Sequence, residues 1–119
     1  ALDEELTGIS GVENINRLLD LIRPQYLVIK PSLLGGFESA ESWIQAASKR
    51  GIGWWANSAL ESNIGLNALA QWVAASDNPI VQGLGTGSLY TNNIPSPLTG
   101  INGELRYDPV HPWDLSAIQ

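Results

Sequence analysis

Apolar positions recur at helical spacing in three stretches of the chain, and short apolar runs separate those stretches. Between residues 11 and 22, Val12, Ile15, Leu18, Leu19 and Ile22 fall on one face. Ser10 stands where an N-cap belongs, with Glu13 three residues on as in a capping box, and Pro24 follows the end. Between 37 and 50, Ala40, Trp43, Ile44 and Ala47 repeat in the same way, with Gly51 as the stop. Between 64 and 76 the repeat is Leu66, Leu69, Ala70 and Val73, closed by the turn residues Ser76 to Pro79. The intervening runs, 26–29 (YLVI), 53–58 (GWWANS) and 80–84 (IVQGL), have the continuous apolar character of buried parallel strands. Trp54 and Trp55 are expected in the core.

The strand-and-helix alternation is regular. Asp3 to Lys30, Lys30 to Asn57 and Asn57 to Leu84 are each 27 residues apart, and each position closes a predicted strand. In a βα barrel that end of the strands carries the active site, so Asp3, Lys30 and Ser58 are expected on one rim. The fold class is therefore α/β. An open doubly wound sheet fits the same pattern, although no Gly-rich phosphate fingerprint is present. About four strand-helix units are expected over residues 1–89, whereas a closed barrel needs eight. From Tyr90 the pattern stops. Residues 90–119 hold four of the seven prolines and read as an irregular C-terminal tail, with a hairpin turn at Asn102-Gly103.

Composition narrows the chemistry. The net charge is −6 and basic residues do not cluster, which argues against nucleic acid and anionic membrane as partners. With no cysteine and one histidine, disulfides, thiolate chemistry and His-cluster sites are excluded. No apolar run reaches the ~20 residues of a membrane span and no signal-peptide pattern opens the chain, so a cytoplasmic protein is expected. The abrupt opening ALDEEL leads to the further expectation that the chain is a piece of something longer.

Lys30 is the sharpest feature. A lysine at a strand end either carries its ammonium out to solvent along an apolar stem or holds it beside a substrate, where it moves a proton or stabilises an oxyanion. Pro31 stiffens the next turn, and Gly35-Gly36 would let backbone approach a ligand. Asp3 and Glu4 are either solvated acids or, for the one facing Lys30, an oxygen ligand for Mg²⁺. Glu4 is expected on the opposite side of the strand from Asp3, because strand side chains alternate. Ser58 and Ser62 flank the loop after the third strand, where Ser62 or Asn63 caps a helix or contacts a ligand. Gly83, Gly85 and Thr86 lie in a glycine-rich loop that could cradle an anion.

Taken in order, ALDEEL, VIKPSLLGG, SALESNIGL and QGLGTG resemble the C-terminal part of the enolase superfamily. Within it they are most similar to the muconate-lactonizing subgroup and its o-succinylbenzoate synthase family. The resemblance implies a modified (β/α)₈ TIM-type barrel with a capping domain, and one Mg²⁺ that stabilises an enediolate. It implies that Asp3 is the third metal carboxylate, on the fifth strand. Lys30 matches the sixth-strand lysine, which contacts the enediolate by cation–π interaction in the synthases and exchanges protons in related racemases. Ser32 of the Lys-Pro-Ser motif, Ser58, Ser62, Gly83, Gly85 and Thr86 match substrate-contacting positions. The family's Lys-x-Lys base and its two other metal carboxylates have no counterpart here. The resemblance thus implies the distal part of a carbon–oxygen lyase that dehydrates a small-molecule carboxylate in menaquinone biosynthesis. Two readings stand beside it, an N-acylamino-acid racemase or cycloisomerase on the same framework, and a non-catalytic α/β assembly module. The open strand edges lead to the expectation of a homo-oligomer or of association with the missing N-terminal half.

Overall fold

The computed structural model describes all of residues 1–119. They divide into two compact units, one of residues 1–59 with 79–82 and one of residues 60–78 with 83–119.

In the first unit, helix α1 (Val12–Ile22) leads into strand β1 (Tyr26–Ile29). A four-residue helix α2 (Pro31–Leu34) and helix α3 (Phe37–Ser48) then lead to strand β2 (Gly53–Ala56). β1 and β2 pair in parallel with Tyr26 opposite Gly53 and Ile29 opposite Ala56. On the other side of β1, Leu2 forms a parallel bridge with Leu27, its N–H donating to Tyr26 O at 3.0 Å and its carbonyl accepting from Val28 N–H at 2.8 Å. Each crossover between parallel partners is helical, as parallel pairing requires. Leu27, Val28 and Ile29 are buried, as are Ile15 and Leu19 of α1 and Ala40, Trp43, Ala46 and Ala47 of α3.

Four expectations change. Leu18 is only half-buried and Val12 and Ile22 are exposed, so the α1 stripe that reaches the core is Ile15 and Leu19 alone. The N-cap of α1 is Gly11 rather than Ser10, with no side-chain capping bond, so the capping box does not form. Trp54 and Trp55 are half-buried, and the deeply buried indole is Trp43 on α3. Residues 80–84 do not form a strand beyond a single bridge position at Gly83. The Gln82 side chain supplies part of what a strand would give: its Oε1 accepts the Ala56 N–H at 2.7 Å, and its Nε2 donates to Ile80 O.

The second unit holds helix α4 (Asn63–Ala74) and an antiparallel hairpin of strands β3 (Leu98–Ile101) and β4 (Glu104–Tyr107). The hairpin's two-residue turn is Asn102-Gly103, both at positive φ (52° and 80°), as a type I′ turn demands.

Candidate active site

The geometry around Lys30 begins at Asp3. Its backbone (φ −128°, ψ −105°) leaves the extended region, and residues Glu4–Leu6 wind into a 3₁₀ turn instead of continuing a strand. Consecutive side chains therefore do not alternate. Asp3 Oδ1 lies 2.8 Å from Lys30 Nζ, and Glu4 Oε1 accepts a hydrogen bond from the same ammonium. Glu4 thus shares the face of Asp3, contrary to the strand-based expectation.

Lys30 follows the last residue of β1 and is the N-cap of α2, with Pro31 at the first helical position, where its missing N–H costs nothing. Gly35 and Gly36, at φ 95° and 116°, break the path between α2 and α3, a conformation few side-chain-bearing residues adopt. The Lys30 side chain is 13% exposed, so its stem does not carry the charge out to solvent. The carboxylates of Asp3 and then Glu4 push its pKa above the ordinary lysine range, against the effect of partial burial. Glu4 responds in the opposite sense, its carboxyl held below the usual range by the Lys30 hydrogen bond. Glu4 is 68% exposed, and so open an ion pair contributes little stability.

Asp3 Oδ1 is buried and pairs with the ammonium at 2.8 Å. It is a hard oxygen of the type Mg²⁺ takes. No group of three His, Cys, Asp or Glu side chains comes together that could hold a metal ion, so the donor type fits and the donor number falls short.

The remaining candidates divide between the units. Ser58 is buried and follows β2, at the same end of the parallel strands as Lys30. Ser32 is exposed on α2. In the second unit Ser62 is exposed and makes no side-chain cap for α4. Neither it nor Asn63 caps with its own side chain, because Asn93 Oδ1 takes the Asn63 N–H at 2.8 Å. Asn93 also donates to Gly87 O at 3.0 Å, tying α4 to the Gly85–Ser88 turn. This bracing by Asn93 escaped the sequence reading, since a lone Asn in a loop carries no periodic signal. Gly83 is half-buried, Gly85 is exposed, and Thr86 Oγ1 is buried without a hydrogen-bond partner.

With this geometry in place, kinship can be read directly. Over 105 residues the chain is 59% identical to the o-succinylbenzoate synthase of Desulfotalea psychrophila. The match covers 88% of this chain and 28% of that protein. Over this stretch the chain is similar to o-succinylbenzoate synthase. The crystal structure of MenC from the same organism superposes with a TM-score of 0.83 at 58% identity, covering 87% of this chain and 29% of that one. A muconate cycloisomerase variant superposes with a TM-score of 0.72 at 23% identity over the same shares, which shows a common fold. No protein-family model matches the chain. The resemblance to o-succinylbenzoate synthase, read from four short motifs, is borne out. The chain spans 28% of the length of its curated synthase relative.

Proposed function

We propose that this chain is the Lys30-bearing, distal portion of an o-succinylbenzoate synthase-like lyase. The observation that carries the reading is the 59% identity to a synthase across 88% of the chain, a stretch that includes a lysine held on carboxylates at a strand end. The reaction removes a proton α to a carboxylate and then expels a hydroxyl as water.

Lys30 faces the substrate as a fixed positive charge, where it offsets the negative charge that develops once the α-proton has left. Asp3 serves as one oxygen ligand of Mg²⁺. When bound, that ion would lower the cost of negative charge on the substrate carboxylate. Ser32, Ser58, Ser62, Gly83, Gly85 and Thr86 contact the substrate. The base is not Lys30, which keeps its proton between two acids, and the other lysine, Lys49, is exposed at the C-cap of α3. A partner chain or further sequence supplies the base and the remaining oxygen ligands, so the active form is an assembly or a longer protein.

The test is an assay of the complete enzyme against three substrates. These are the hydroxy-acid precursor of o-succinylbenzoate, an N-acylamino acid and a muconate. Dehydration of the first, as the dominant activity, is the expected outcome. Racemisation or cycloisomerisation without dehydration would overturn the assignment.

A further inference from the structure

Asn63 opens α4, and Asn93 lies in the loop that follows the Gly85–Ser88 turn; both belong to the second unit. Their side chains act as a pair. Asn93 Oδ1 accepts the Asn63 N–H at 2.8 Å and the Ile94 N–H at 2.9 Å, and its Nδ2 donates to Gly87 O at 3.0 Å. Asn63 Nδ2 in return donates to Ile94 O at 2.7 Å. The Asn63 amide is thereby held with its oxygen towards Gly87, where a Cβ would come within 2.8 Å of that oxygen and 3.1 Å of Leu66 Cδ2. We infer that Asn93 is a positioning residue for the glycine-rich turn: with Asn63 it locks Gly85–Ser88 against the first turn of α4, so that Gly85 and Thr86 meet the substrate already in place.

The physical case rests on what such a turn lacks. Its two glycines have no side chain to anchor them, and glycine gives up more backbone freedom on ordering than any other residue. A hydrogen bond to Gly87 O from outside the turn supplies the missing restraint. Gly87 is not at positive φ, so its small size serves the close approach to α4 rather than an unusual backbone. Next to the tethered residue, Thr86 keeps a buried hydroxyl with no partner. An unpaired buried hydroxyl costs stability, which a ligand oxygen would offset. Ordering the turn beforehand also reduces the entropy lost on binding. The purpose of the lock rests on the proposed reading, in which this turn contacts substrate. The lock itself stands on geometry.

Asn93→Asp separates positioning from capping. It keeps an acceptor for the Asn63 N–H, with a charge that a helix N-terminus favours, and removes only the donor to Gly87 O. In the complete enzyme this variant is expected to melt close to the unmodified protein. Its KM for the hydroxy-acid precursor should rise about tenfold with kcat little changed, the scale of one hydrogen bond lost to substrate and transition state alike. Hydrogen exchange across residues 85–89, read by mass spectrometry, should speed up. Gly87→Ala, which presses on Asn63 Oδ1, should do the same. Asn93→Ala should add a loss of stability, because the Asn63 N–H then loses its acceptor too. A merely structural role leaves exchange and kinetics unchanged in Asn93→Asp, and that result overturns the inference. Faster exchange with an unchanged KM also overturns the positioning role, while dehydration by the unmodified enzyme leaves the lyase reading standing. An unmodified enzyme that does not dehydrate the precursor sinks the lyase reading alone: faster exchange in Asn93→Asp then upholds the lock, and unchanged exchange overturns it.

Discussion

Lys30, only 13% exposed, shares its charge with two acids, and a second ion pair ties separate elements together. Asp20 and Arg50 form that second pair. Arg50 forks onto Asp20, Nε to Oδ1 at 2.8 Å and an Nη to Oδ2 at 2.9 Å, while its other Nη donates to Ala46 O at 2.9 Å. The pair links the α1 residue Asp20 to the turn after α3. The Arg50 hydrogen bond holds the Asp20 carboxyl below its ordinary range. A depressed folded-state value means that ionised Asp20 stabilises the fold above the unfolded pKa, and that this contribution is lost as pH falls through the folded value. Asp20→Asn should therefore lower the urea midpoint at pH 7, and the gap to the unmodified chain should shrink progressively below about pH 4. A gap that widens in acid would show that the pair does not act as described.

Among the elements, the helices were the most legible because burial on one side imposes the 3.6-residue period directly. Leu66, Leu69 and Val73 of α4, and Ala40, Trp43 and Ala47 of α3, are buried as their spacing requires. The Asn102-Gly103 turn was legible for a local reason, since few residue pairs accept two positive φ values. What the sequence concealed depends on contacts far along the chain. Residues 80–84 carry strand-like composition, but the Gln82 amide takes up the Ala56 N–H that a neighbouring strand would otherwise use. Helix α2 is a single turn, too short for any period to register. Glu4 was misplaced because strand alternation was assumed through a residue whose backbone breaks it. The most telling side chain within α3 is Trp43, fully buried with its Nε1–H lacking an acceptor. Trp43→Ala should destabilise the chain by roughly 3–5 kcal/mol in urea unfolding, through the cavity it leaves. Trp43→Phe keeps a ring and sheds the unpaired donor, so its cost should be well under half of that. Equal losses from the two substitutions would contradict the packing account.

At the scale of the whole molecule, the chain carries a lysine, one metal-type carboxylate and substrate-loop candidates, within 28% of the length of its synthase relative. No helix is long and apolar enough to cross a membrane. Two of the four motifs that carried the resemblance, VIKPSLLGG and SALESNIGL, lie at the ends of β1 and β2 and in the loops after them, where chemistry rather than packing selects residues. That is why the kinship was readable in the sequence while the contact geometry of Asp3, Glu4 and Lys30 was not. The most direct measurement of the central claim is turnover of the complete enzyme with Lys30 replaced by Ala and by Arg. The account predicts that Lys30→Ala lowers kcat by about 10²–10³-fold with the circular dichroism spectrum unchanged, the scale of losing one oxyanion stabiliser. Lys30→Arg, which keeps the charge, should recover part of that loss. A Lys30→Ala enzyme that dehydrates its substrate at a near-normal rate would contradict the account and leave Lys30 a structural ion-pair residue.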